Sequence, residues 1–226
     1  MLENWIKPQI PEEEELDERL HAARSKLSVL QMQIKEHGLP VLVLFEGWGT
    51  AGKGSVLGKV IKNIDPRFFK VATMDEPTEE ERRKPFLYRY FVKIPANGKL
   101  EFLDSGWMDE VGKDVLHDKI GEKEYKKKIE SVKRFERQLT DNGYLVMKFF
   151  FQISRKEQKK RIEVLKENKD TRWRVSGDED WQNKHYDKCM HVFDRYLNDT
   201  NSPADPWYIV DAKNRKWAEL QVLETL

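Results

Sequence analysis

The apolar run Val41-Leu42-Val43-Leu44-Phe45 passes through Glu46 into Gly47-Trp48-Gly49-Thr50-Ala51-Gly52-Lys53-Gly54-Ser55. An unbroken apolar run suits a strand covered on both faces. The spacing Gly47-x4-Gly52-Lys53, placed between a strand and a helix-like segment, is that of a phosphate-binding loop. In such a loop the backbone N–H groups converge on an anion, and the positive end of the following helix adds to the attraction. Gly47, Gly49, Thr50, Ala51, Gly52, Lys53, Gly54 and Ser55 are therefore the candidate phosphate-binding residues. Lys53 carries the most specific signal, because a cation there neutralises charge on a transferring phosphoryl group. A solvated lysine after a glycine turn is the bland alternative, and the flanking strand and helix argue against it.

The rest of the chain alternates strand-like and helix-like segments. Residues 12–37 place Leu16, Leu20, Ala23, Leu27, Leu30 and Ile34 on one helical face. Glu12 to Glu15 sit at its positive end, and Gly38 and Pro40 stop it. The stripe suits a helix packed on its own domain, or one that meets another subunit. Further strands are expected at 69–73, 100–103, 144–153 and 207–210. Helices are expected at 53–63, 78–92, 125–142, 154–168, 178–199 and from 213 onward. Ser154-x-x-Glu157 reads as a capping box. This alternation implies a three-layer α/β/α fold on a five-stranded, mainly parallel sheet.

Asp104 ends the short third strand, where a carboxylate anchors Mg²⁺ in phosphate-loop proteins. A turn or N-cap aspartate is the competing reading. Gly54 follows Lys53 where a hydroxyl usually stands, so Ser55 is displaced by one residue from the metal-binding place. Arg82 and Arg89 lie seven apart on the expected 78–92 helix, which puts them on one face. A helix there can close over phosphates as a lid spanning about residues 76–98. Arg172-Trp173-Arg174 flanks an aromatic with two guanidinium groups, a pattern that suits packing and anion binding equally. Lys126, Lys127, Lys128, Lys133 and Arg134 read as a solvated face. His117, His185 and His191 show no zinc spacing, and Cys189 is the lone cysteine.

The 226 residues suit one α/β domain with an N-terminal arm and helix over 1–38 and a loop-bearing domain over 39–226. Forty-one basic against 40 acidic residues argue against a nucleic-acid coat, while leaving room for a local basic channel. A single cysteine points to a reducing cytoplasm. No stretch approaches the roughly 18 apolar residues of a membrane span, so no membrane partner is expected.

Several stretches together resemble the family-2 polyphosphate kinases. They are Phe45-Glu46-Gly47-Trp48, Ala51-Gly52-Lys53-Gly54, Asp65-Pro66-Arg67 and Glu76-Pro77-Thr78-x-Glu80-Glu81. Phe135-Glu136-Arg137-Gln138-Leu139, Lys148-Phe149-Phe150-x-x-Ile153-Ser154-x-x-Glu157-Gln158, Arg172-Trp173 and Pro206-Trp207-Tyr208-Ile209-Val210 follow in order. The resemblance spans residues 15–226. It implies a thymidylate-kinase-like P-loop kinase fold with a helical lid, Mg²⁺ as cofactor, and phosphoryl transfer between inorganic polyphosphate and AMP or ADP. It further implies that Lys53 holds phosphate, Asp104 holds metal, Arg89 sits in the lid, and Arg172 and Arg174 lie near the anionic substrates.

Two departures qualify that expectation. The family loop reads Gly-Trp-Asp-Ala-Ala-Gly-Lys-Gly-Gly, and Gly49 stands here in place of its aspartate. The family signature Phe-Asp-Arg-Ser-Trp-Tyr corresponds to Leu103-Asp104-Ser105-Gly106-Trp107-Met108, with Ser105 replacing the arginine. Losing one positioned charge costs on the order of 10²–10³ in rate. Some members of the family fuse two copies of the domain, one degenerate, and this chain resembles the degenerate N-terminal copy. The expectations are a slow phosphotransferase, or a silent P-loop domain beside an active copy, with a homo-oligomer or a fused second copy as partner. An ATP-dependent nucleoside monophosphate kinase fits the loop alone but not the other motifs.

Overall fold

The computed structural model describes residues 1–74 and 76–226. Five strands, β1 (Val41–Gly47), β2 (Phe69–Thr73), β3 (Leu100–Asp104), β4 (Leu145–Gln152) and β5 (Trp207–Asp211), form one sheet. Their order is β2-β3-β1-β4-β5 and each neighbouring pair is parallel, so the sheet is parallel throughout. The chain builds the β2–β3 side before crossing to the β4–β5 side. This reversal opens a crevice at the carboxyl ends of the strands, beside β1.

Helices α1 (Glu13–Glu36), α2 (Lys53–Ile61) and α10 (Arg215–Thr225) cover one face. Helices α5 (Trp107–Leu116), α6 (Glu122–Asp141) and α9 (Tyr186–Thr200) cover the other. The expected α1 stripe is buried at Leu16, Leu20, Ala23, Leu27 and Ile34, and it packs on α10. Val41 to Phe45 are all buried, as the apolar run requires for a central strand with helices above and below. No helix among the described residues is long and apolar enough to cross a membrane.

Two expected helices are divided, one cap is half formed and one helix is new. Residues 78–92 form two short helices, α3 (Glu79–Arg82) and α4 (Tyr88–Phe91). Pro85 lies between them, lacks an N–H, and disfavours helical geometry at Lys84. Arg82 and Arg89 therefore do not share a helix face: Arg82 is exposed and Arg89 is buried. The expected helix over 178–199 is broken at His185 into α8 (Gly177–Lys184) and α9. Ser154 does cap α7 (Arg155–Glu167), accepting from the Glu157 N–H, but the Glu157 carboxylate pairs with Arg161 instead of returning to the cap. Only half of the capping box forms. The helix α5 was not expected, because Gly106 offers no side chain to cap it.

A buried ion cluster sits under the second face. The Lys148 ammonium on β4 donates to Glu136 Oε2 at 2.9 Å, Thr200 O at 2.9 Å and Asp205 Oδ2 at 3.1 Å. Its three donors are thus all used. The other Glu136 oxygen, Oε1, accepts from Trp107 Nε1 at 2.9 Å, which ties the cluster to the first turn of α5.

Candidate active site

The loop after β1 is held from behind by its own core residues. Trp48 is buried, donates from Nε1 to Gln152 Oε1 at 2.7 Å, and stacks on Tyr186 with ring centroids 4.0 Å apart. Gly47 has φ +127, and a Cβ there would come within 2.5 Å of Phe151 O, so only glycine lets β1 turn this close to β4. Arg161 on α7 donates from Nη1 to Ala51 O at 2.7 Å and Thr50 O at 3.2 Å. Its Nη2 donates to Ala212 O at 2.8 Å and Lys213 O at 3.0 Å. The Thr50 and Ala51 carbonyls are thus engaged by α7. The N–H groups of Thr50, Gly52, Lys53, Gly54 and Ser55 donate to no group among the described residues. Thr50 at φ +60 and Gly52 at φ +96 supply the left-handed turns that curve such a nest.

Lys53 opens α2, and its ammonium donates to Gly47 O at 3.2 Å and Trp48 O at 3.4 Å. It also acts electrostatically on Asp104 and Glu46, which places all three in one small region. Asp104 ends β3 with its carboxylate against the start of α2, Oδ2 lying 3.1 Å from where a Gly54 Cβ would stand. Burial raises the Asp104 pKa, the Lys53 charge pulls it down, and the Asp109 carboxylate raises it again. Ser55 is exposed in the first turn of α2.

Asp104 and Asp109 are hard oxygen donors whose mutual repulsion a divalent cation would relieve. Mg²⁺ is held by one or two carboxylates together with waters and substrate oxygens. It therefore needs no larger ligand cluster, and among the described residues no group of three or more metal-ligating side chains occurs. The donor set fits Mg²⁺ on Asp104.

Glu46 has no assigned role in the sequence, yet it builds the floor of the site. Its buried carboxylate accepts from the Met108 N–H at 3.2 Å and so caps α5 from a distance. Burial, and then the Asp109 charge, push its pKa up to about 8, while Lys53 and the α5 amides oppose the rise. A charged residue inside an otherwise apolar strand was the available signal. Arg161, Asp109 and Gln182 carried no comparable one.

A cavity of about 770 Å³ opens between the 76–90 segment and α5 and is lined by Arg82, Arg89, Gly106, Asp109, Lys113 and His117, among others. The α4 half of the 76–98 segment is seated against it. Tyr90 donates to Glu110 Oε2 at 2.9 Å and meets Trp107 edge to face at 5.5 Å. Arg89 lies 3.9 Å from both Glu81 and Glu110. Arg82 pairs with Glu76 at 3.5 Å, and Lys113 with Asp109 at 2.8 Å. The cavity is thus neutralised from within, and an entering phosphate competes with carboxylates for these cations. Arg172 and Arg174 do not line it. They are exposed in a short 3₁₀ turn, Arg172–Arg174, beside Trp173, which is 74% exposed.

The position at which the family carries aspartate is taken up from outside the loop. The Gly49 N–H donates to Gln182 Oε1 on α8 at 2.8 Å, and buried Gln158 donates to that same oxygen at 2.8 Å. A Cβ on Gly49 would stand 2.7 Å from Glu179 Cγ. Gly49 is what allows α8 to lie on the loop. Gly49→Asp is accordingly expected to displace α8 and lower stability by about 1–3 kcal/mol. Thermal unfolding tests this, and a variant as stable as its parent would contradict the seated position of α8.

A parallel sheet, a glycine loop after its central strand, a lysine at the start of the next helix and an acid on the neighbouring strand define a P-loop phosphate-binding protein. The chain belongs to the polyphosphate kinase 2 (PPK2) family, whose model matches residues 11–226. It is 29% identical over 216 residues to a polyphosphate:AMP phosphotransferase of Pseudomonas syringae pv. tomato, covering 94% of this chain and 43% of that relative. It is 26% identical over 200 residues to ADP-polyphosphate phosphotransferase 3 of Rhizobium meliloti, covering 88% of this chain and 70% of the relative. The crystal structure of polyphosphate kinase 2 from Arthrobacter aurescens TC1 superposes with a TM-score of 0.87 at 25% identity, over 91% of this chain and 74% of that one. The chain therefore spans less than half the length of the Pseudomonas relative.

Proposed function

We propose that the chain is a cytoplasmic, polyphosphate-dependent nucleotide phosphotransferase domain that moves a phosphoryl group between inorganic polyphosphate and AMP or ADP. The observation that carries this reading is the nest of unused N–H groups at Thr50 and from Gly52 to Ser55, with the Lys53 ammonium and the Asp104 carboxylate at the same mouth. The relatives' names supply polyphosphate and nucleotide as the substrate pair.

In this reading the unused loop amides, those of Thr50 and of Gly52 to Ser55, grip the transferring end of the polyphosphate, and Lys53 leaves its two carbonyls to neutralise it. Mg²⁺, held by Asp104, would supply charge neutralisation between phosphate oxygens. The nucleotide enters the cavity between the 76–90 segment and α5, where Arg89 is already in place and Arg82, on exposed α3, closes from above as the outer part of the lid over 76–98. Arg172 and Arg174 reach the anionic substrates only if the turn that bears them swings inward. The family's loop aspartate and signature arginine are absent at Gly49 and Ser105, so turnover is slow. The active assembly is a homo-oligomer or includes a second copy of the domain.

The Gln182 contact on the Gly49 N–H favours one competing reading, a silent domain that binds polyphosphate beside an active copy. One assay separates them. The purified chain, given Mg²⁺, AMP or ADP and either polyphosphate or ATP as donor, is expected to form product slowly from polyphosphate and not from ATP. Formation of product from ATP alone would overturn the proposed donor, and no product from either donor would favour the silent reading.

A further inference from the structure

Helix α5 leaves the turn at Ser105-Gly106 and forms one wall of the cavity that holds Arg89. The Gly106 end of that cavity is its end toward Lys53. A Cβ on Gly106 would stand 3.0 Å from Glu46 Oε1, and Glu46 and Asp104 both feel the Lys53 charge. A third acid, Asp109 in the first turn of α5, acts on both of those carboxylates. Three carboxylates thus share this region with the loop lysine, and Ser105 brings no charge to the turn.

Lys113 answers the acids from the cavity side. Side chains on an α-helix lean toward its N-terminus. Lys113 accordingly reaches back one turn and sets its ammonium 2.8 Å from Asp109 Oδ2. The same ammonium lies 4.0 Å from Asp178 Oδ2, in the first turn of α8, which lines the cavity too. Other cations of the cavity are drawn toward different acids: Arg82 to Glu76, Arg89 to Glu81 and Glu110, and Lys119 to Asp114. Lys113 instead pairs with the acid that acts on Asp104. Charge therefore alternates from the loop into the cavity: Lys53, then Asp104 and Asp109, then Lys113. A half-exposed pair one helical turn apart contributes little stability. An ammonium held this loosely is open to a phosphate, which offers it stronger charge-assisted hydrogen bonds.

We propose that Lys113 binds the phosphate of the nucleotide substrate, at the Gly106 end of the cavity and across the carboxylates from Lys53, and that Asp178 competes with that phosphate for the ammonium. The proposal rests on the reading of AMP or ADP as the occupant of this cavity. It adds a binding residue that lies outside the loop and fixes which end of the cavity receives the phosphate. Phosphoryl transfer brings two anions together, and each then has its own cation, Lys53 for the donor and Lys113 for the acceptor. When the phosphate takes the ammonium, Asp178 loses its partner and faces an anion, so Asp178 holds nucleotide affinity down.

The test is binding of AMP and of tripolyphosphate to the purified chain by isothermal titration calorimetry without divalent cations, with a melting curve for each protein. Lys113→Gln, Lys113→Arg and Asp178→Asn are compared with the parent. Lys113→Gln is expected to lose about tenfold in affinity for AMP, the effect of removing a hydrogen bond to a charged group. It should keep the parent's affinity for tripolyphosphate and its melting temperature. Lys113→Arg should retain most of the AMP affinity, and Asp178→Asn should raise it about twofold, the scale of an exposed ion pair. AMP affinity unchanged in Lys113→Gln overturns the assignment. So does an equal loss for both ligands, which would make the lysine a source of general field. A loss that Lys113→Arg does not restore and that comes with a lower melting temperature makes Lys113 a structural partner of Asp109, and also overturns it. Weaker AMP binding in Asp178→Asn overturns the competition. A parent that binds tripolyphosphate but not AMP overturns the nucleotide reading, and the assignment falls with it. A parent that binds AMP as tightly as Lys113→Gln does overturns the assignment alone.

Discussion

Lys148→Ala is expected to lose about 3–5 kcal/mol of stability, the penalty for removing one partner of a buried ion pair. For a chain of 226 residues that is a fall in melting temperature of about 6–20 °C. The physical reason is that Glu136 and Asp205 stay behind in the core without their cation, and Thr200 O loses its donor. The loss should depend on pH. Burial already raises the Glu136 carboxyl to about 8, and removing the ammonium raises it further. A carboxyl whose folded pKa lies above its unfolded value favours folding in its protonated form, and that contribution disappears as pH rises through the folded pKa. The gap between parent and variant should therefore widen as pH is taken from about 5 to about 9. Thermal unfolding across that range measures it, and a gap that narrows with rising pH would show that the cluster is not held by charge. Because Glu136 also accepts from Trp107 Nε1, the variant should loosen the first turn of α5 as well.

Lys53→Ala should leave stability nearly intact and remove phosphate chemistry. The two carbonyls it touches are long contacts at 3.2 and 3.4 Å, so their net loss amounts to about 1 kcal/mol or less. Phosphoryl transfer, where the parent shows it, should fall on the order of 10²–10³-fold, as for removal of one preorganised group that stabilises developing charge. Progress curves with polyphosphate as donor measure this alongside a melting curve. A variant that melts like the parent and turns over like it would remove Lys53 from the site. A variant that unfolds would assign the lysine to the loop's architecture.

Elements whose signal is contained in consecutive residues were legible beforehand. The glycine loop, its strand and its helix appear where Val41 to Ser55 place them, because apolar run, turn glycines and helix start all lie within one local stretch. The α1 stripe is legible for the same reason: residues three and four apart share a helix face whatever surrounds them. The single helix that periodicity suggests over 78–92 does not form, since Pro85 divides it.

Other features had no local signal to read. The helix α5 has no capping side chain of its own, and Glu46, 62 residues away in sequence, supplies the acceptor. The buried partners of Lys148 come from α6 and from the approach to β5, and only folding brings them together. Gly49 looks like a plain loss when set beside the family pattern. In the folded chain it is the space into which α8 fits, with Gln182 on its amide.

The order of residues thus dictated the phosphate loop, the alternating architecture and the kinship with polyphosphate kinases, since each depends on short-range spacing that survives without a partner segment. Which charges meet, and which arginine is buried and which exposed, were decided by the fold. Those outcomes depend on distances between remote segments, which Coulombic and hydrogen-bonding interactions sense only once the sheet has assembled.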